Sequence, residues 1–175
     1  HDPNVFRADD GYYYMYQTDA SYGDEHKKDG GHFHGRRSKD LVNWEYLGGT
    51  MREVLAWIDE KLNAYRSEQG LPPIENPNLG FWAPAAGKVR DGLYRMYYSI
   101  TIFDRIEAGN EKSSSERAFI GLMETSDPAS NVWKDKGFVI TSSSNRGNNW
   151  SWSENPWEET YFKYNAIDPS FIIDT

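Results

Sequence analysis

The sequence contains no cysteine. Disulfides and thiolate metal sites are therefore excluded, and the redox compartment stays open. Long apolar runs are also missing: no stretch approaches the about 20 residues that a membrane-spanning helix needs. Basic charge is scarce, with 19 lysines and arginines against 27 aspartates and glutamates and a net charge of −8. Phosphate backbones demand a basic footprint, so no nucleic-acid partner is expected. What is abundant is aromatic. Twelve tyrosines, 8 phenylalanines and 7 tryptophans make up 15% of the chain within a hydrophobic share of only 38%. That balance points to sheets with amphipathic, hydrogen-bonding surfaces, and it suits a neutral polar ligand. At 175 residues the length fits one domain.

The chain repeats itself. An Asp-Pro corner occurs at His1-Asp2-Pro3-Asn4-Val5-Phe6 and again at Ala166-Ile167-Asp168-Pro169-Ser170-Phe171, with Phe81-Trp82-Ala83-Pro84 between them. Gly11-Tyr12-Tyr13-Tyr14-Met15-Tyr16 follows the first corner, and Gly92-Leu93-Tyr94-Arg95-Met96-Tyr97-Tyr98-Ser99 follows the second. Each unit then reaches a polar turn, a tryptophan and a glycine. Ser38-Lys39-Asp40-Leu41-Val42-Asn43-Trp44 leads to Gly48, and Thr125-Ser126-Asp127-Pro128 leads to Trp133 and Gly137. Pro3, Pro84 and Pro169 are 81 and 85 residues apart, longer than the about 40–50 residues of common propeller blades. Insertions account for the excess.

Strand signals recur in each unit. Asn4–Arg7 and Tyr12–Thr18 read as a hairpin around Asp9-Asp10-Gly11, and Gly87–Arg90 and Leu93–Ile100 as another around Asp91-Gly92. Phe119–Glu124 and Phe138–Thr141 read as third and fourth strands. Four short antiparallel strands per unit is a propeller pattern. The first insertion, Thr50–Gly70, reads as a helix. Thr50 and Glu53 would form a capping box, Val54, Leu55, Ile58, Leu62 and Tyr65 an apolar stripe, and Gly70 before Pro72-Pro73 a stop. It is expected to pack on the outside of its unit; the sharper alternative is that it overhangs a cleft and limits substrate length. The second irregular stretch, Ser142–Tyr164, carries Trp150, Trp152 and Trp157, which would either stack on sugar rings or anchor a long loop. Ile106–Arg117 reads as a polar loop. The chain opens directly on a corner, shows no leader, and closes as a new strand starts, so it reads as part of a larger repeat protein.

Asp2 and Asp168 are the foremost candidates for chemistry. A lone Asp before Pro is usually a turn former. Two at matching repeat positions, each leading into an apolar run, point instead to paired carboxylates that converge on one cavity, as glycoside hydrolysis requires. His26, His32 and His34 lie near Asp24, Glu25 and Asp29. A His-x-His strand can bind metal, but ordinary solvent-facing polar residues are the preferred reading, with a sugar contact by His32 or His34 as the functional variant. Gly35-Arg36-Arg37 reads as a strand with surface charge rather than an anion site.

These corners, in this order and with Ser38–Trp44 between them, resemble family 43 of the glycoside hydrolases, and most of all its α-1,5-L-arabinanases. The resemblance implies a five-bladed β-propeller that hydrolyses arabinan or arabino-oligosaccharide with inversion. It divides the chain into a first blade (1–49), a helical insertion and linker (50–80), a second blade (81–141), an inserted loop (142–165) and the start of a third blade (166–175). By resemblance, Asp2 is the general base and Asp168 the acid that holds and tunes the proton donor. The donor is a Glu of a later blade; Glu154, Glu158 and Glu159 do not qualify, because they lie in an inserted loop. This chain alone is thus expected to be inactive, with the remaining blades needed to complete the fold. Trp82 would line the sugar site by its motif position, with His1, Phe103 and Asn165 as further substrate contacts. No cofactor is implied, although a structural Ca2+ or other ion in the complete propeller would fit the pattern. Polymer substrates imply a secreted, periplasmic or cell-surface protein without a membrane partner. The family usually has an Asp after Phe-Trp-Ala-Pro; here Ala85-Ala86 follows. Arabinofuranosidase and β-xylosidase specificities stay open, as does a carbohydrate-binding propeller without catalysis.

Overall fold

The computed structural model describes residues 2–19, 30–52, 55–68, 70–103, 117–142 and 166–173. The chain forms two four-stranded antiparallel sheets in sequence order. The first contains β1 (Asn4–Arg7), β2 (Tyr13–Tyr16), β3 (His32–Ser38) and β4 (Glu45–Met51). The second contains β5 (Leu79–Arg90), β6 (Leu93–Ile102), β7 (Arg117–Thr125) and β8 (Lys134–Thr141). Period-two alternation sets their faces: Tyr14 and Tyr16 of β2 and Tyr94, Met96, Tyr98, Ile100 and Ile102 of β6 are buried.

The two sheets are built to one plan. Tyr13 pairs with Ser38, and Tyr94 with Thr125. Both partners start hydroxyl-nucleated turns. Ser38 Oγ accepts from the main-chain N–H of Asp40 and Leu41, and Thr125 Oγ1 from that of Asp127. Asp40 then takes the N–H groups of Val42 and Asn43, and these amides hold its carboxyl well below the usual carboxylate range.

β5 corrects the sequence reading, which starts that strand at Gly87. It runs from Leu79 through Pro84. A proline offers no N–H to the ladder, and the pairing absorbs it by a register shift between Trp82 and Ala85. Residues 166–173 carry the third corner but form no strand, since no described segment supplies them with a ladder partner.

The helix α1 (Ala56–Glu68) is shorter than the sequence pattern suggests. Thr50 is no cap: it belongs to β4, and its hydroxyl donates to the Phe33 carbonyl at 2.9 Å. Glu53 and Val54 fall outside the described residues. Ile58 and Leu62 are fully buried, and Trp57 and Tyr65 set their rings against Phe119 at 6.0 and 6.3 Å. Phe119 pairs with Ile100, which shares a face of β6 with Tyr98, and Tyr98 meets Phe33 of the first sheet at 5.4 Å. The helix and the first sheet therefore cover the same face of the second sheet. The helix packs on the second sheet through Phe119 and Phe138, and Ile58 and Leu62 of its apolar stripe belong to the core. Gly70, at φ 71°, ends the helix by donating to the Ser67 carbonyl.

Polar ties join the sheets at both margins. Near β1 and β5, Lys88 pairs with Asp9, and the Tyr94 hydroxyl donates to Asp9 Oδ2 at 2.8 Å while accepting from the Asp9 N–H. At the opposite margin Asn131, at φ 53°, donates to the carbonyls of Leu47 and Gly48, and Trp133 Nε1 donates to the Tyr16 hydroxyl at 3.3 Å. Among the described residues no helix is long and apolar enough to cross a membrane.

Candidate active site

The three corners share one backbone geometry. Asp2, Ala83 and Asp168, each directly before a proline, have φ of 51°, 43° and 53°. Left-handed φ is uncommon for any non-glycine residue, and surrounding contacts must hold it in place. Two of those contacts are visible, and they are equivalent. The Ala83 N–H donates to Thr18 Oγ1 at 2.9 Å, and the Asp168 N–H donates to Ser99 Oγ at 3.0 Å. Thr18 lies just past β2 and Ser99 near the end of β6, each 16 residues after the corner of its own unit. Each hydroxyl anchors the corner of the unit that follows.

Thr18 makes one contact that Ser99 cannot match. Its hydroxyl also donates to Asp2 Oδ2, at 2.6 Å. The corresponding corner in the second unit is Ala83, which has no carboxylate. Ser99 pairs across the ladder with Trp82. A single line of contacts therefore runs Asp2–Thr18–Ala83–Trp82–Ser99–Asp168 across the end of both sheets. Asp2 and Asp168 are exposed, whereas Thr18 and Ser99 are buried. The hydroxyl framework holds the exposed carboxylate of Asp2 directly and the backbone of Asp168.

Beside this line lies an aromatic pair. Trp82 and Phe103 sit with ring centroids 5.6 Å apart, tilted 59°. Gly80 makes the pair fit: a Cβ there would come within 2.5 Å of the Phe103 ring and 3.0 Å of Trp82 Nε1. Both rings are half-buried, so each keeps surface for stacking. The structure thus brings Asp2, Asp168, Trp82 and Phe103 to one end of the molecule. His1 and Asn165 lie outside the described residues, as do His26, Trp150, Trp152, Trp157, Glu154, Glu158 and Glu159.

The histidines depart from the sequence reading, which has them facing solvent. His34 is fully buried, its Nε2 donating to the Gly31 carbonyl and its Nδ1 accepting from the Tyr46 hydroxyl. A carbonyl can only accept, so His34 carries a proton on Nε2. It has no route to a sugar. His32 pairs with Asp19 and stacks on Phe81. Asp19 also takes the Phe33 N–H at 2.8 Å. His32 is taken up by Asp19 and the Phe81 ring, and His34 by Tyr46 and the Gly31 carbonyl. Among the described residues no three His, Asp or Glu side chains group as a metal ion would need, and no step below passes through one.

Sequence reasoning did not single out Thr18 and Ser99. A signal was present: a hydroxyl residue stands 16 positions after the corner in both units.

The described residues thus form an antiparallel β-sheet repeat with acids at two of its corners and an aromatic pair beside them. The model of glycosyl hydrolases family 43 matches residues 1–175, and the chain belongs to that family. It is 26% identical over 138 residues to an extracellular endo-α-(1→5)-L-arabinanase of Bacillus subtilis, covering 79% of this chain and 31% of that protein. It is 25% identical over 177 residues to a probable arabinan endo-1,5-α-L-arabinosidase A of Aspergillus flavus, covering 99% and 38%. The chain thus spans about a third of the length of the curated relatives it matches. Among solved structures, an α-L-arabinanase of Cellvibrio cellulosa complexed with arabinohexaose superposes with a TM-score of 0.51 at 25% identity, over 99% of this chain and 41% of that one. A native arabinanase of Bacillus subtilis gives 0.51 at 22% identity over 80% and 38%, a likeness of fold.

Proposed function

We propose that this chain supplies part of the catalytic domain of a glycoside hydrolase that cleaves α-1,5-linked L-arabinan by single-displacement inversion. The observation that carries the proposal is the line of contacts joining Asp2 to Asp168 through Thr18, Ala83, Trp82 and Ser99. The names of the relatives support arabinan and its oligosaccharides as substrate, and the extracellular relative supports export.

In the proposed reaction Asp2 is the general base. It takes a proton from water as the water oxygen attacks the anomeric carbon. The glycosidic C–O bond breaks on the opposite side of the ring, and a glutamic acid outside this chain gives its proton to the leaving oxygen. Base and acid stand about 6.5–9.5 Å apart in such a pair, which leaves room for the water. Asp168 orients that glutamic acid, and its negative charge keeps the acid protonated until the bond breaks. Trp82 and Phe103 offer faces to the sugar rings. The two sheets are proposed as two blades of a five-bladed propeller, with residues 166–173 opening a third and the other blades completing fold and cleft.

The test is digestion of linear arabinan and of xylan by the full-length protein and its Asp2→Ala variant. Arabino-oligosaccharides or arabinose from arabinan alone, lost in the variant, are the expected result. Cleavage of xylan instead would move the substrate, and silence on both would leave a binding propeller.

A further inference from the structure

We propose that Thr18 is a positioning residue for Asp2, fixing the aim of the base and tying it to the aromatic corner of the next unit. The proposal rests on the reading of Asp2 as the base. Thr18 is buried, and its hydroxyl spans two units. It donates to Asp2 Oδ2 at 2.6 Å and accepts from the Ala83 N–H at 2.9 Å. A charge-assisted bond of that length is among the stronger hydrogen bonds a protein makes. It sets the rotation of the carboxylate, and hence the direction in which the carboxylate meets a water.

The repeat isolates what is special about this hydroxyl. Ser99, its counterpart, performs the same anchoring of the following N–H, but its own corner is Ala83, which has no carboxylate. Anchoring a corner is therefore the shared structural duty of this position. Orienting an acid is specific to Thr18. Because the Thr18 hydroxyl also touches the residue after Trp82, a shift at the aromatic corner is felt at the base.

The experiment uses the full-length protein with arabinohexaose and compares Thr18→Val, which keeps shape and removes the hydroxyl, with Thr18→Ser, which keeps the hydroxyl. Misplacing a reacting group by about 1 Å can cost on the order of 100-fold. Thr18→Val is expected to lower kcat about 10–100-fold with KM changed less than about 2-fold, and Thr18→Ser to recover most of the rate. A wild-type kcat in Thr18→Val overturns the proposal. So does an equal loss in both variants, which would assign Thr18 to packing alone. Asp2→Asn separates the two readings. If it is inactive while Thr18→Val is normal, only the positioning role fails; if Asp2→Asn turns over normally, the base assignment fails with it.

Discussion

The main-chain N–H of Asp168 donates to the Ser99 hydroxyl at 3.0 Å, across 69 residues of sequence. The third corner is therefore held by the second sheet. Ser99→Ala would remove a buried partner from that N–H, at a cost of about 1–3 kcal/mol. The expected outcome is a modest fall in melting temperature with a larger proportional fall in kcat of the full-length protein, read by steady-state kinetics beside thermal unfolding.

Gly80 sets the spacing of the aromatic pair. Gly80→Ala places a methyl group where the Phe103 ring stands, so the ring must move off Trp82. Loss of a stacking surface weakens sugar binding more than it alters the reacting groups, and KM is expected to rise several-fold with kcat nearly kept. Titration of Trp fluorescence with arabinohexaose checks the binding step separately.

The helix α1 is structural core. Leu62 is fully buried in the core cluster, and Leu62→Ala is expected to destabilise the fold by about 2–5 kcal/mol. Urea unfolding measures this directly. An unchanged midpoint would contradict a core role for the helix.

Acid pH should loosen the seam at Asp9. Lys88 first, and the Tyr94 hydroxyl second, hold the Asp9 carboxyl below its ordinary value of 3.8. A carboxyl depressed in the folded state stabilises at pH values above 3.8, and that contribution disappears as the pH falls through the folded-state value. The gap in melting temperature between the wild type and Asp9→Asn should be present at neutral pH and close at low pH. Added salt should narrow it too, because Asp9 and Lys88 are both partly exposed.

Much of this architecture is legible in the sequence, because repetition makes it so. The Asp-Pro corners, the Asp91-Gly92 hairpin and the turns at Ser38 and Thr125 are local chemistry, and local chemistry leaves local marks. The failures are equally specific. Thr50 and Glu53 have capping-box spacing, but the Thr50 hydroxyl is taken by β3 carbonyls, a tertiary bond that spacing cannot reveal. Pro84 argues against a strand unless the register shift beside it is known. His34 reads as polar surface until Tyr46 and the Gly31 carbonyl are seen to enclose it. At the site, Asp2, Asp168 and Trp82 stand out by motif, whereas the Thr18 bond to Ala83 joins residues 65 apart, and the repeated hydroxyl at that spacing marks the position without naming its partner.

The central claim is hydrolysis with Asp2 as base at an inverting centre. Proton NMR of the first turnovers of linear arabinan by the full-length protein tests it most directly, with Asp2→Ala run in parallel. The account predicts that the new reducing end appears first as the β-anomer, opposite to the α-linkage cleaved, and that the variant yields none. First appearance of the α-anomer, or undiminished turnover by Asp2→Ala, would contradict it.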